Sequence, residues 1–321
     1  MRTTNKVILI GAVVAACGRA AVVQEDADTP VSDGSIDDGS IDALSLPPQT
    51  TRLRIVSACT QPIWIALSNN VPAPQNVRLD AGDYHDYAIP AAGLASARFW
   101  PKLGCDANAR NCEIGDNGEG GGAPCGVSGC QPPIDSKFEA TFAAIASSDA
   151  TFYNLSLVDG YTLPFAVTPI GAGAGVGSCT ASDCSTLTLD ACPIAEDLGG
   201  TVYPAYADRD LRMQDVGCMS PCKAWNYPAP YGLGRPESQD PGLHLCCPTP
   251  IAPMTGQCTI ANGCMTPQAC RSTTDPLGVT HTEYVKRVHA RCPTAYAYSY
   301  DDEAGLHACP ADTGFRVVFC P

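Results

Sequence analysis

Residues 152–165 read FYNLSLVDGYTLPF. Phe152, Tyr153, Leu155 and Leu157 make a short β-type run, and Val158-Asp159-Gly160 ends it. Gly reaches backbone angles that other residues avoid, so an Asp-Gly pair after a strand is turn chemistry. Asp159 therefore stands at a strand end and not in a core. On turn chemistry alone it is a solvated carboxylate.

Composition bounds what surrounds this stretch. The chain has 321 residues with 19 Cys, 30 Gly and 28 Pro, and only 16% of residues are charged. That length fits one large domain or two smaller ones. Cysteine at this density points to an oxidising compartment, since cytosolic thiols are kept reduced. A formal charge of −14 argues against a nucleic-acid partner, because nothing would neutralise phosphates. Neutral or cationic partners are expected.

Arg2 and Lys6 precede the apolar run Val7 to Ala16, which is too short to span a bilayer and suits a signal peptide. Val14-Ala15-Ala16-Cys17 resembles a bacterial lipoprotein box. The resemblance implies cleavage before Cys17, diacylglycerol on its thiol, and an exported chain anchored in the cell envelope at the outer membrane or cell surface. An ordinary cleaved signal peptide with an incidental cysteine is the alternative. Setting Cys17 aside leaves an even 18 cysteines for disulfides. Residues 17–50 then form the tether, with acids at Glu25, Asp26, Asp28, Asp33, Asp37, Asp38 and Asp42 and too few apolar residues to build a core.

The folded domain is expected over 51–321. TRLRIVS (51–57) alternates, with Leu53, Ile55 and Ser57 on one face and Arg52, Arg54 and Val56 on the other. Ile63 to Leu67 is a second strand, and RLDAGDYHDYAIP (78–90) reads as two short strands around a Gly turn. In KFEATF (137–142), Phe138, Ala140 and Phe142 share one face, while Lys137, Glu139 and Thr141 share the other. A Glu on such a face is a solvated residue unless a site claims it. Glu283 to Arg291 places Tyr284, Val285 and Val288 on one side of a short helix, and Phe315 to Phe319 is a closing strand.

Cys105 to Cys130 is loop-rich and carries Gly118-Glu119-Gly120-Gly121-Gly122, a composition that needs disulfide stapling. It is no phosphate loop, because no Gly-Lys-Ser/Thr follows. Cys218-x3-Cys222 and Cys246-Cys247 have tolerable spacing for metal ligands, but no paired C-x2-C units occur, so disulfides are the expected use. The histidines at 85, 244, 281, 289 and 307 show no HExxH or similar pattern. No metal and no cofactor are expected.

Several segments, in one order, resemble the thaumatin-like proteins (thaumatin and pathogenesis-related family 5). They are Cys59 followed by Pro62-Ile63-Trp64, Ala97-Arg98-Phe99-Trp100 leading to Cys105, and SLVDGY-x-LPF followed by Cys179 and Cys184. The C-terminal run CP-x-AY-x-YSYDD (292–302), Cys309 and the final V-x-FCP complete the match. Agreement weakens between Tyr203 and Arg271, and Lys102-Leu103 replaces the family's Arg-Thr.

The resemblance implies a mainly β fold: a flattened sandwich (about 51–178 and 293–321) with two disulfide-rich lobes, one at about 179–292. It implies the pairs Cys59–Cys320, Cys105–Cys112, Cys125–Cys130, Cys179–Cys309, Cys184–Cys292, Cys192–Cys218 and Cys222–Cys246. Cys247 would pair with Cys258, Cys264 or Cys270, leaving two cysteines for a ninth bridge.

The family's acidic cleft implies a site as well. Arg98, Glu139 and Asp159 stand at matching places, Asn154 replaces an Asp, and Asp240 is the candidate for the last acid. Glycoside hydrolysis needs two carboxyl groups, which Glu139 and Asp159 would supply. Asn154 cannot ionise and withdraws one negative charge from beside Glu139. Tyr153, Tyr161 and Trp100 are candidate sugar-stacking rings and equally candidate core residues.

Three functions follow. The expected one is a lipid-anchored monomer that binds a β-1,3-glucan-type polysaccharide. The second is an endo-β-1,3-glucanase using Glu139 and Asp159. The third is an envelope interaction or inhibitor protein with no sugar site.

Overall fold

The computed structural model describes residues 46–68, 70–112, 134–200, 202–203, 217–227, 232–248, 258 and 263–321. Cys17, the leader, the tether up to residue 45 and the Cys125–Cys130 pair lie outside them.

Strands form where side chains alternate. In chain order they are β1 (Leu53–Ser57), β2 (Ile63–Leu67), β3 (Val77–Leu79), β4 (Tyr84–Tyr87) and β5 (Leu94–Leu103). Next come β6 (Lys137–Phe142), β7 (Thr151–Ser156), β8 (Gly160–Tyr161), β9 (Phe165–Ile170) and β10 (Ser182–Asp183). After β11 (Glu196–Asp197), β12 (Val202–Tyr203) and β13 (Cys218–Met219), β14 (His307–Cys309) and β15 (Gly314–Phe319) return to the sandwich.

Two sheets make that sandwich. One runs β10-β9-β15-β1-β4 and the other β14-β7-β6-β5-β2-β3. Among the described residues every pairing in the second is antiparallel, while β1 lies parallel to β15 in the first. Between them sit Leu53, Ile55, Phe315 and Val317 from one sheet and Ile65, Phe99, Phe138, Tyr153 and Leu155 from the other, each fully buried. Phe315 is the hub, with ring centroids 5.6 Å from Phe138 and 4.8 Å from Tyr153. Burying one such side chain stabilises the fold by roughly 1.5–3 kcal/mol.

The outer face of β1 is covered too. Alternation turns Arg54 away from the core, yet its side chain is only 1% exposed. Its guanidinium holds both oxygens of Asp86 on β4 at 2.7 Å, donates to the Pro47 carbonyl at 2.6 Å, and lies 4.2 Å from the Tyr84 ring centroid. Gln49 Nε2 donates to the Phe315 carbonyl at 3.0 Å. Residues 47–49 thus run over the outer surface of the five-stranded sheet.

The lobe between β10 and β14 has short helices and little sheet. Cys192–Cys218, Cys222–Cys246, Cys247–Cys270 and Cys258–Cys264 close it internally. Cys179–Cys309, Cys184–Cys292 and Cys59–Cys320 join distant parts of the chain, and Cys105–Cys112 closes a loop. Helix Glu283–Arg291 buries Tyr284, Val285 and Val288. Its first amides, Glu283 N and Tyr284 N, donate to the two carboxylate oxygens of Glu196 at 2.9 and 2.8 Å. Glu196 is buried, and that burial raises its carboxyl pKa despite the two amide bonds.

Candidate functional site

The register of three neighbouring strands sets one row. Arg98 on β5 faces Glu139 on β6, and Glu139 faces Asn154 on β7. Phe99, Phe138 and Leu155 point into the sandwich, so period-2 alternation turns this row to the sheet's outer face. Arg98 Nε bonds Glu139 Oε1 at 3.0 Å, with side chains 46% and 22% exposed. The three residues line a depression of about 170 Å³ together with Ser96, Thr141, Phe152 and Leu306. Phe152 and Leu306 are 40% and 41% exposed and give it an apolar rim. Asn154 Oδ1 is buried and has no hydrogen-bond partner among the described residues.

Asp159 follows β7 and is tied down differently. Lys137 lies on β6 two residues before Glu139 and on the same face, and its Nζ is 2.8 Å from Asp159 Oδ2. Lys223, on helix Pro221–Asn226, brings Nζ to 3.1 Å from Oδ1. Burial works to raise the Asp159 carboxyl pKa, and the two ammonium charges with their hydrogen bonds outweigh it. The group therefore sits below the ordinary carboxylate range. Gly160 behind it has φ 143°, and a Cβ there would run into the Cys218 carbonyl, so Asp159 needs glycine next in the chain.

Tyr296 forms an isolated bridge with Ser156 and donates its hydroxyl to Asp302 at 2.6 Å. Arg271 donates to the other Asp302 oxygen at 3.1 Å. Burial, the Asp302 bond and the charges of Asp302, Asp301 and Glu139 all raise the Tyr296 hydroxyl pKa. Glu139 therefore shares an electrostatic neighbourhood with this acid-bearing segment.

Asp240 is elsewhere. It is 65% exposed, its partner is His244 at 3.7 Å, and it is not among the residues lining the depression. The candidate stacking rings are core residues: Trp100 and Tyr153 are 0% exposed and Tyr161 is 1%. Tyr153 shares the inward parity of Leu155, and Tyr161 packs on Tyr284 with centroids 6.0 Å apart. Phe152, one position out of phase with Tyr153, is the ring that reaches solvent. Lys137 was legible on the Glu139 face by alternation. Lys223, Tyr296, Arg271 and Leu306 carried no local signal.

A disulfide-pinned sandwich of two sheets, with a cysteine-rich lobe and a charged row on one outer face, defines the class of protein. The Thaumatin family model matches residues 57–231 and 235–321, and the chain belongs to that family. Pathogenesis-related thaumatin-like protein 3.8 of Cryptomeria japonica is 32% identical over 234 residues, 72% of this chain and 73% of that one. A thaumatin-like protein of Arabidopsis thaliana is 30% identical over 271 residues, 82% of this chain and 87% of that one. A protein of Prunus avium named glucan endo-1,3-beta-glucosidase is 28% identical over 229 residues, 70% of this chain and 71% of that one.

Proposed function

We propose that this chain binds a polysaccharide of β-1,3-glucan type at the Arg98–Glu139–Asn154 row without cleaving it. The observation that carries this reading is the pair of lysines on Asp159. Retaining hydrolysis needs a second carboxylate free to attack, and inverting hydrolysis needs one free to activate water. A carboxylate held by two ammonium groups is a poor candidate for either. Asn154 supplies no replacement charge.

What remains suits hydroxyl recognition. Arg98 donates, Glu139 accepts, Asn154 lines the same depression, and Phe152 and Leu306 offer apolar surface beside them. The relative named as a β-1,3-glucosidase makes β-1,3-glucan the first ligand to try.

The same reading places the domain outside the cell, with Cys17 carrying lipid and residues 17–50 as tether. Pro47, Pro48 and Gln49 lie on the outer face of the five-stranded sheet. The Arg98 row occupies the outer face of the other sheet.

The test is retention of the full chain on insoluble β-1,3-glucan. Retention that Arg98→Ala and Glu139→Gln each reduce by about tenfold supports the reading, since losing one charged hydrogen bond costs roughly 1.5–3 kcal/mol. Retention unchanged in both variants, or no retention at all, removes it and leaves an interaction protein without a sugar site.

A further inference from the structure

His244 belongs to helix Gly242–Cys246, with 10% of its side chain exposed. Its Nδ1 lies 2.5 Å from Asp275 Oδ2. Asp275 is itself fixed, because its other oxygen accepts Leu277 N at 3.0 Å. A carboxylate only accepts hydrogen bonds, so Nδ1 is the nitrogen that carries the proton in this pair. In the neutral ring that assignment leaves the Nε2 lone pair on the opposite side, free for a metal.

There it meets a second acceptor. Asp240 Oδ1 stands 3.7 Å from Nε2, beyond hydrogen-bond distance, and the Asp240 side chain is 65% exposed. In the neutral ring a lone pair and a carboxylate oxygen thus stand 3.7 Å apart, the oxygen on an exposed side chain. A histidine that binds a metal donates its other ring N–H to a carboxylate, which fixes the tautomer and aims the free nitrogen. Zinc binds imidazole nitrogen and carboxylate oxygen at about 2.0–2.2 Å, which sets two ligand atoms about 3.4 Å apart at the tetrahedral angle. Only a small turn of the exposed Asp240 side chain separates the observed spacing from that value.

We propose that Asp240 and His244 bind a divalent transition-metal ion of the zinc class, with Asp275 holding the imidazole in register. Water completes the coordination. Cysteine does not compete nearby, because Cys222, Cys246 and Cys247 are all closed into disulfides. The pair comes from one turn of chain, Asp240 and His244 being four residues apart, while Asp275 arrives from the segment after helix Pro267–Cys270. The site lies on the cysteine-rich lobe and does not involve the Arg98 row, so its test is independent of the glucan reading.

The experiment is calorimetric titration of Zn2+ into the full chain and into three variants, followed in parallel by the imidazole C–H resonances of His244. Asp240→Asn and His244→Gln are each expected to remove one binding equivalent or weaken it at least tenfold. Asp275→Asn is expected to weaken the same equivalent by about 10–100-fold. Any zinc held elsewhere on the chain, including by a free Cys17 thiol, stays constant across the set. If His244→Gln fails to fold, Asp240→Asn at its exposed position still decides the matter. Unchanged stoichiometry and affinity in Asp240→Asn, or His244 resonances that do not respond to Zn2+, would overturn the site.

Discussion

Lys137 Nζ stands 2.8 Å from Asp159 Oδ2, and the Lys137 side chain is 1% exposed. The same strand face that presents Glu139 to solvent therefore sends a buried cation to the nearest second carboxylate. Lys223 completes the arrangement from the lobe. The site has two carboxylates in sequence and one uncommitted to lysine in space.

Acid should expose this pairing. Asp159 and Asp86 both sit below the ordinary carboxylate range, Asp159 because two lysines outweigh its burial and Asp86 chiefly through its Arg54 bond. A carboxylate depressed in the fold contributes stability above its unfolded value, about 3.9, and loses it as pH falls through the folded value. Chemical denaturation between pH 2 and 7 should show the stability these two groups supply being lost below about pH 4. Asp159→Asn should flatten part of that drop.

Removing the buried partner should do more. Lys137→Met leaves Asp159 with Lys223 alone and strips the burial of half its compensation. Breaking a buried pair costs about 3–5 kcal/mol, and since Asp159 keeps 24% exposure and its second lysine, about 2 kcal/mol is expected. Thermal unfolding measures the loss, and a carbon-13 titration should find the Asp159 carboxyl moved upward.

Arg54 offers a parallel case on the opposite sheet. Arg54→Ala takes both guanidinium bonds from Asp86, leaving it Thr51, frees the Pro47 carbonyl and uncovers the Tyr84 ring. A loss of about 3 kcal/mol is expected. Combining it with Asp86→Asn should recover part of that loss, a coupling that a double-mutant cycle reads directly. Amide exchange over residues 46–51 should quicken in Arg54→Ala.

The disulfides should rank by the chain they constrain. Cys59–Cys320 joins residues 261 apart and Cys258–Cys264 residues 6 apart. Other bridges shorten the effective loop of the first, so replacing it with serines should cost about 4 kcal/mol, against about 2 kcal/mol for the second. Denaturant midpoints of the two double-serine variants test the order.

The strands were legible because alternation is local. Phe138, Ala140 and Phe142 declare the inward face of β6, and so place Lys137, Glu139 and Thr141 outward. The motifs around Asp159 and in CPTAYAYSYDD carried the family and with it the sandwich. Reading Tyr153 and Trp100 needed more than motif. Tyr153 falls inward by parity with Leu155, whereas Trp100 shares the outward parity of Arg98 and is nonetheless fully buried, packed with Ala66. Burial of an outward residue depends on which other segment lies over it, and strand periodicity is silent on that. Arg54 is the same lesson, covered by Pro47 and Pro48 from outside the sandwich. The lysines on Asp159 were hidden for a related reason. Lys223 is 64 positions from Asp159 by number, brought there by β13 pairing with β8, and no short-range pattern encodes that meeting.

Under the proposed function the Arg98 row binds glucan and does not cut it. Reducing-end release from a soluble β-1,3-glucan, followed for the full chain beside Glu139→Gln, addresses it most directly. No release above the protein-free rate is expected, from a chain that still binds the polymer. Release by the parent chain that Glu139→Gln abolishes would contradict it, and would make Glu139 the acid of a glycosidase despite the lysines on Asp159.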